Sequence, residues 1–321
     1  MKVVSISCPY LKNCKKLIVA NQYFILLTGR SVLILTKEME LVKQIDGFQY
    51  VYDGKLSPDG TKLLLISNGA NFYMLSLECL ELLWKARLKE GKYCNLEGKG
   101  VWTLDGTRLL FIIFDQKTTQ YKIRSYNALD PNDSYDETSL SETHRIHEIL
   151  AIPSLNSYVL LVQDRWDEQF NFPSRPLKLF VYQAGTFQEF VLNSQTGIPL
   201  GMNYQENLDK LIIYTDEGAF SCSLKGEDVR KISLENTGEK NSANPFVYYG
   251  FSQIKQIAMS QNGQYVLIAS SYGFDICDKG SGNVLFSREY GFGTENFTEI
   301  EENLIVICQS TGTASMYQIQ E

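Results

Sequence analysis

The feature that most constrains this chain is a unit that returns along almost its whole length: an apolar strand, a turn rich in Asn, Asp or Gly, and a second apolar strand. It is clearest at residues 56–65, Leu-Ser-Pro-Asp-Gly-Thr-Lys-Leu-Leu-Leu, and echoes of it stand at 102–111, 152–161 and 259–268. More degenerate copies lie at 19–25, 203–212 and 300–307. Asp-Gly and Asn-Gly accept the positive φ that tight turns between twisted antiparallel strands require, so each copy reads as a hairpin. Several copies are followed by a second strand-turn-strand element. Residues 72–84, Phe-Tyr-Met-Leu-Ser-Leu-Glu-Cys-Leu-Glu-Leu-Leu-Trp, compare with 274–286, Phe-Asp-Ile-Cys-Asp-Lys-Gly-Ser-Gly-Asn-Val-Leu-Phe. The two elements together make four strands per unit.

The turns, taken at Asn21, Gly60, Gly106, Asn156, Asn207, Gly263 and Asn303, recur at intervals of roughly 40 to 55 residues, near or above the roughly 40–45 of a propeller blade. The pattern predicts an all-β, seven-bladed β-propeller in one domain over residues 1–321. The blades fall roughly at 15–46, 51–88, 98–143, 146–193, 199–234, 247–290 and 295–320. The last has room for only three strands, whereas residues 2–7 precede the first blade with no partner of their own. Pairing the N-terminal strand with the last blade removes two exposed edges at once. A β-sandwich would not need a blade-length period, and solenoid repeats would be much shorter.

The run at 57–63, Ser-Pro-Asp-Gly-Thr-Lys-Leu, and its echo at 103–109 resemble the hairpin signature of the WD40-like and YVTN-type β-propeller superfamily. Residues 276–286 are similar to the outer-strand repeat of quinoprotein-like propellers. The chain departs from true WD40 repeats in having no Gly-His or Trp-Asp dipeptide, and from quinoenzymes in having the closing tryptophan once, at Trp84. The resemblance implies a fold and a general habit of binding, and carries over no site.

Composition narrows the function classes. An apolar fraction of 44% with 21% charged residues suits a chain with a sizeable core. A net charge of −7 lacks the basic field that attracts phosphate backbones, so nucleic acid is not the expected partner. Lys2, Lys12, Lys15 and Lys16 interrupt the apolar stretches of the N-terminus, and the longest apolar runs are strand-sized. Membrane insertion is not expected, and the reading is cytoplasmic. The seven cysteines, Cys8, Cys14, Cys79, Cys94, Cys222, Cys277 and Cys308, form no Cys-x-x-Cys pair and sit mostly among apolar strand residues, as small buried thiols would.

No catalytic, metal or cofactor motif emerges, and no cofactor is expected. His144 and His147 are spaced so that one helical turn would bring both rings to a metal. They follow the acidic stretch 130–137, which has no helical pattern, so an exposed connection with two solvated imidazoles is the expectation. The acidic stretch lacks the glycine turn and terminal glutamate of an EF-hand loop. Asp53, Glu97 and Glu206 are the carboxylates that a propeller hydrolase or lactonase would turn toward a central channel.

Two segments depart from the compact blade. Residues 164–175 lengthen the connection between the second and third strands of the fourth unit and set Trp166, Phe170 and Phe172 among charges. Residues 236–251 begin as a polar loop and end in Phe246, Tyr248, Tyr249 and Phe251. Exposed aromatic residues beside arginine are typical interface anchors. In a propeller these loops emerge on one face, so the expected partner-binding residues are Trp166, Phe170, Phe172, Phe246, Tyr248 and Tyr249. The leading reading is a non-enzymatic interaction module or scaffold for a protein or peptide partner. Its rivals are a propeller binding a small molecule or glycan at the central channel and, behind it, a propeller hydrolase or lactonase.

Overall fold

Side chains of the repeated turns decide where each hairpin begins. In the computed structural model, Ser57, Thr103 and Ser260 each open a turn with the same set of bonds. The hydroxyl lies 2.5–2.6 Å from the side-chain oxygen of Asp59, Asp105 or Asn262. It also accepts the backbone N–H of Lys62, Arg108 or Tyr265. The Asp or Asn oxygen accepts in turn from the N–H two residues on. Gly60, Gly106 and Gly263 follow with φ near +70°, a conformation glycine adopts without a Cβ penalty. Each is therefore a type I turn closed by a left-handed residue, a four-residue loop and not the two-residue loop that Asp-Gly alone suggests. In the fifth repeat the left-handed residue is Asp209, not Asn207.

The structure describes residues 2–6, 8–67, 71–87, 94–132, 135–139, 144–164, 176–183, 186–192, 197–215, 218–232, 254–290, 293–309 and 311–320. Within them run β1 (Lys2–Ile6), β2 (Lys16–Val19), β3 (Phe24–Leu27), β4 (Gly29–Leu35), β5 (Leu41–Leu56), β6 (Lys62–Ser67), β7 (Asn71–Ser76), β8 (Glu81–Arg87) and β9 (Cys94–Trp102). There follow β10 (Arg108–Asp115), β11 (Gln120–Asn127), β12 (Tyr135–Ser139), β13 (His144–Ile152), β14 (Ser157–Asp164), β15 (Leu177–Gln183), β16 (Thr186–Leu192), β17 (Pro199–Gln205) and β18 (Lys210–Thr215). The last are β19 (Ala219–Cys222), β20 (Arg230–Lys231), β21 (Ile254–Met259), β22 (Tyr265–Ser270), β23 (Gly273–Asp278), β24 (Val284–Glu289), β25 (Thr294–Glu301), β26 (Leu304–Gln309) and β27 (Ala314–Gln320). Helical structure among the described residues is confined to three-residue 3-10 turns.

The strands form antiparallel meanders. Four sheets take four consecutive strands each, β9–β12, β13–β16, β17–β20 and β21–β24. A fifth adds β1 to β25–β27, with Lys2 opposite Gln320 and Ile6 opposite Met316, so the N-terminal strand does pair with the last repeat. The strands β2–β8 make one hydrogen-bonded run, because β5 is continuous: its first part pairs with β4, and it goes on as the neighbour of β6.

The chain divides into two compact units. One comprises residues 1–52, 198–221 and 230–321; the other comprises 53–197 and 222–229. In the first unit, alternate residues of β22 serve opposite neighbours. Val266 and Ile268 pack with Ile212, Ala219 and Ile257, whereas Leu267 and Ala269 pack with Phe297, Ile305 and Ile307. Both faces of the strand are therefore buried, which explains why middle strands are nearly continuous apolar runs while fourth strands such as β24 are mostly exposed. Side chains of first strands also tie to the next sheet. Asn203 and Gln205 donate to the carbonyls of Ile257 and Met259 at 2.5 and 2.7 Å, and Asn296 and Thr298 to those of Lys15 and Leu17 at 2.9 Å. The buried thiols of Cys14 and Cys308 meet at 3.8 Å.

In the second unit, Val101, Ile112 and Ile123 of one sheet pack with Ile146, Ile149, Leu160 and Phe180 of the next. The Trp102 indole N–H donates to the Lys55 carbonyl at 2.9 Å, and that of Trp84 to the Ala128 carbonyl at 2.9 Å.

Candidate functional site

In the second unit, β14, β15 and β16 place one aromatic residue each at the same register: Tyr158 opposite Tyr182, and Tyr182 opposite Phe187. Because side chains alternate across a strand, all three rings share one face, and they form a cross-strand ladder with centroids 5.9 and 4.8 Å apart. The Tyr158 oxygen accepts the backbone N–H of Leu104 at 2.5 Å, which anchors the β9–β10 turn over the ladder. Between turn and rings lies a cleft of about 670 Å³, floored by Ile123, Ile149 and Leu160 and rimmed by Asp105, Asn156 and Phe187. Phe187 is 41% exposed.

A second hollow of about 780 Å³ lies against the same turn, lined by Pro58, Asp59, Lys62, Arg108 and Leu129 and sharing Leu104 and Asp105 with the first. Leu129 is 76% exposed. The Thr103 hydroxyl and the Thr107 N–H hold the Asp105 carboxyl below its usual value, and the Ser57 hydroxyl brings Asp59 to about 2. Burial pushes the Tyr158 hydroxyl up, with Asp105 adding to the rise. The first hollow is thus a mainly apolar cleft with the ionised Asp105 at its rim, whereas the second sets Pro58, Leu104 and Leu129 beside Asp59, Asp105, Lys62 and Arg108. Nothing in the linear sequence marks this site, because strand register brings Tyr158 and Phe187 onto one face and only the packing of a second sheet sets Leu104 over them.

Trp166, Phe170, Phe172, Phe246, Tyr248 and Tyr249 lie outside the described residues. The segment holding the first three joins β14 to β15. The cleft lies at the end of this sheet where β14 begins and β15 ends, beside Asn156, Tyr158 and Tyr182.

The histidines are not on an exposed connection. His144 and His147 belong to β13, the first strand of its sheet. The His144 ring is largely buried, 3.2 Å from Asp164, 3.4 Å from the Lys178 amine and edge-on to Phe180. A bulge between Ile146 and Glu148 interrupts the alternation that would have marked the strand. The last three residues of the acidic stretch, 135–137, open the outer strand β12, where Asp136 and Glu137 meet cations. Asp136 pairs with Arg108 at 2.6 Å, and Glu137 with Lys122 and the buried Arg124 at 2.6 and 2.7 Å, while Arg124 lies 4.3 Å over the Tyr135 ring. Among the described residues no group of three or more His, Cys, Asp or Glu is placed to hold a metal ion. Asp53 is paired with Lys55 at 3.5 Å, and Glu206 is exposed at the β17–β18 turn; the Glu97 side chain lies outside the described residues.

No protein-family model matches the chain, and no curated protein matches it. Among solved structures it is similar to the β-propeller domain of Myceliophteria thermophila Cps50 (Swd1). The match has a TM-score of 0.70 at 12% identity and covers 99% of this chain and 100% of that one. The fold is that of a β-propeller.

Proposed function

We propose that this chain is a non-enzymatic interaction module that binds a protein or peptide partner through the cleft between the β9–β10 turn and the Tyr158–Tyr182–Phe187 ladder. The observation that carries the proposal is the ladder itself. A row of rings ending in a part-exposed phenylalanine, above an apolar floor, is the kind of pocket in which interface anchors are buried. The charge of −7 argues for a protein rather than a nucleic acid as partner. Among the described residues no helix is long and apolar enough to cross a membrane.

We read the scaffold as one seven-bladed domain, the β2–β8 run counting as two blades joined through β5, with the blade boundaries given by the repeats. The aromatic residues at 166–172 and 246–249 form a second contact face in this reading. The test is affinity purification of the tagged chain from its native cells, followed by titration of each recovered partner against purified protein. Three forms are compared: wild type, a Tyr182→Ser, Phe187→Ser variant and a Trp166→Ala, Phe246→Ala variant. A partner whose affinity falls with the first variant supports the cleft, and one that falls with the second supports the loop face. Recovery of partners unaffected by either, or of none, would remove the module reading.

A further inference from the structure

We propose that the two hollows beside the Thr103–Arg108 turn form one docking track. Its occupant is an extended segment of another protein that sets one large apolar side chain in each hollow and a lysine or arginine between them, over Asp105. This rests on the module reading above and specifies the partner's chemistry.

Three observations converge on it. First, the hollows share Leu104 and Asp105 in their walls, so a single occupant running over the turn meets both. Each has a volume in the range of small-ligand pockets, roughly 300–1,000 Å³, with room for a large side chain and its neighbours. Second, each has an exposed apolar rim with no cover among the described residues: Phe187 on one side and Leu129 on the other. Third, the charge between them is negative and fixed. The Asp105 Oδ1 accepts from the Thr103 hydroxyl and from the N–H and hydroxyl of Thr107 at 2.6, 3.0 and 2.9 Å. With the carboxylate already oriented by its own turn, a cation that binds Oδ2 pays no cost of ordering it.

The neighbouring cations leave that charge uncancelled. Arg108 is drawn away to Asp136 at 2.6 Å and to Ser125, and the Lys62 charge acts on Asp59. Among the described residues, Asp105 is the only charged one lining the ladder cleft. An acidic occupant of the ladder cleft would meet Asp105 with no cation in the lining among the described residues, whereas a basic side chain over Asp105 satisfies that charge, Lys62 and Arg108 lining only the far hollow.

The structure also supplies a variant that removes the charge and keeps the turn. Asn262 holds the equivalent place in the 260–265 turn and makes the same bonds, to the Ser260 hydroxyl at 2.6 Å and the Gln264 N–H at 3.0 Å. Asp105→Asn therefore preserves the local fold, which an unchanged melting temperature checks. The experiment pans a displayed library of random dodecapeptides on the full chain. Enriched peptides are then resynthesised and titrated by fluorescence anisotropy against wild type, Asp105→Asn, Phe187→Ser and the Trp166→Ala, Phe246→Ala variant.

The expected motif is apolar, basic, apolar. Binding should weaken about fivefold with Asp105→Asn at low salt, an effect that shrinks as salt rises. It should weaken at least about tenfold with Phe187→Ser, and hold with the loop variant. Peptides lost with Phe187→Ser but indifferent to Asp105→Asn would overturn the cationic centre and leave the module reading standing. Peptides that lack a basic residue, that fail only on the loop variant, or that do not enrich at all would overturn the track. The module reading is judged separately by the cellular partners.

Discussion

Replacing Asp275 by asparagine should change how stability depends on pH. Asp275 sits on β23 opposite Ile268 of β22 and Ser287 of β24, and is 2% exposed. It shares its face with Ile268 and Cys277, in the cluster that packs on Ile212, Tyr214 and Ala219. Burial raises its carboxyl to about 7; a hydrogen bond with Ser287 opposes the rise, and the charge of Glu289 adds to it. The Asp275 Oδ1 has no hydrogen-bond partner. In the unfolded chain the same group titrates near 3.9.

Below about pH 4 both states carry the proton and the stability is fully present. Between about 4 and 7 the unfolded state has lost the proton while the folded state keeps it, so each pH unit lowers stability by about 1.4 kcal/mol. Above the folded value the loss is complete, at about 4 kcal/mol. Urea unfolding of wild type and Asp275→Asn at pH 5, 6, 7 and 8 isolates this group, since every other titration is common to both proteins. The variant should gain about 3 kcal/mol on wild type between pH 5 and pH 8. A difference between the two proteins that stays constant across that range would refute the reasoning.

Three further outcomes follow from the packing. A Cβ at Gly201 would fall on the Tyr214 ring, so Gly201→Ala should lower stability by about 1–3 kcal/mol in urea unfolding, where a surface glycine would show little change. Trp102→Phe should cost about 1–2 kcal/mol by the same measurement, because the part-buried Lys55 carbonyl loses its indole donor. Treatment with diamide should oxidise Cys14 and Cys308 to a disulfide while diamide is reduced to its hydrazine. Cys14→Ser should abolish the link, as read by intact mass and thiol titration. Closing a loop across 294 residues should raise the melting temperature, with an entropic ceiling of about 5–6 kcal/mol.

What could be read along the chain was local chemistry. Ser57, Asp59 and Gly60 specify a turn through bonds that span six residues, and so do their counterparts at 103–106 and 260–263, because a hydroxyl, a carboxylate or amide, and a glycine suffice to build it. The spacing of those turns was enough to indicate the repeat, and the unpartnered strand at the N-terminus was enough to indicate its pairing with the last one.

The tertiary structure decided everything that depends on what a face meets. Asp275 occupies a strand position that in isolation looks solvated, and it is buried only because another sheet covers it. His144 enters a first strand, and Glu137 becomes the partner of a buried arginine, since a bulge and a polar outer strand carry no clear period of their own. The cleft exists because a turn at 103–107 is set over rings at 158, 182 and 187. Turns, and the lowered pKa values of the carboxylates within them, are determined by side chains a few residues apart; the cleft and the burial of Asp275 depend on residues about fifty or more positions apart, whose meeting depends on how one sheet packs on the next.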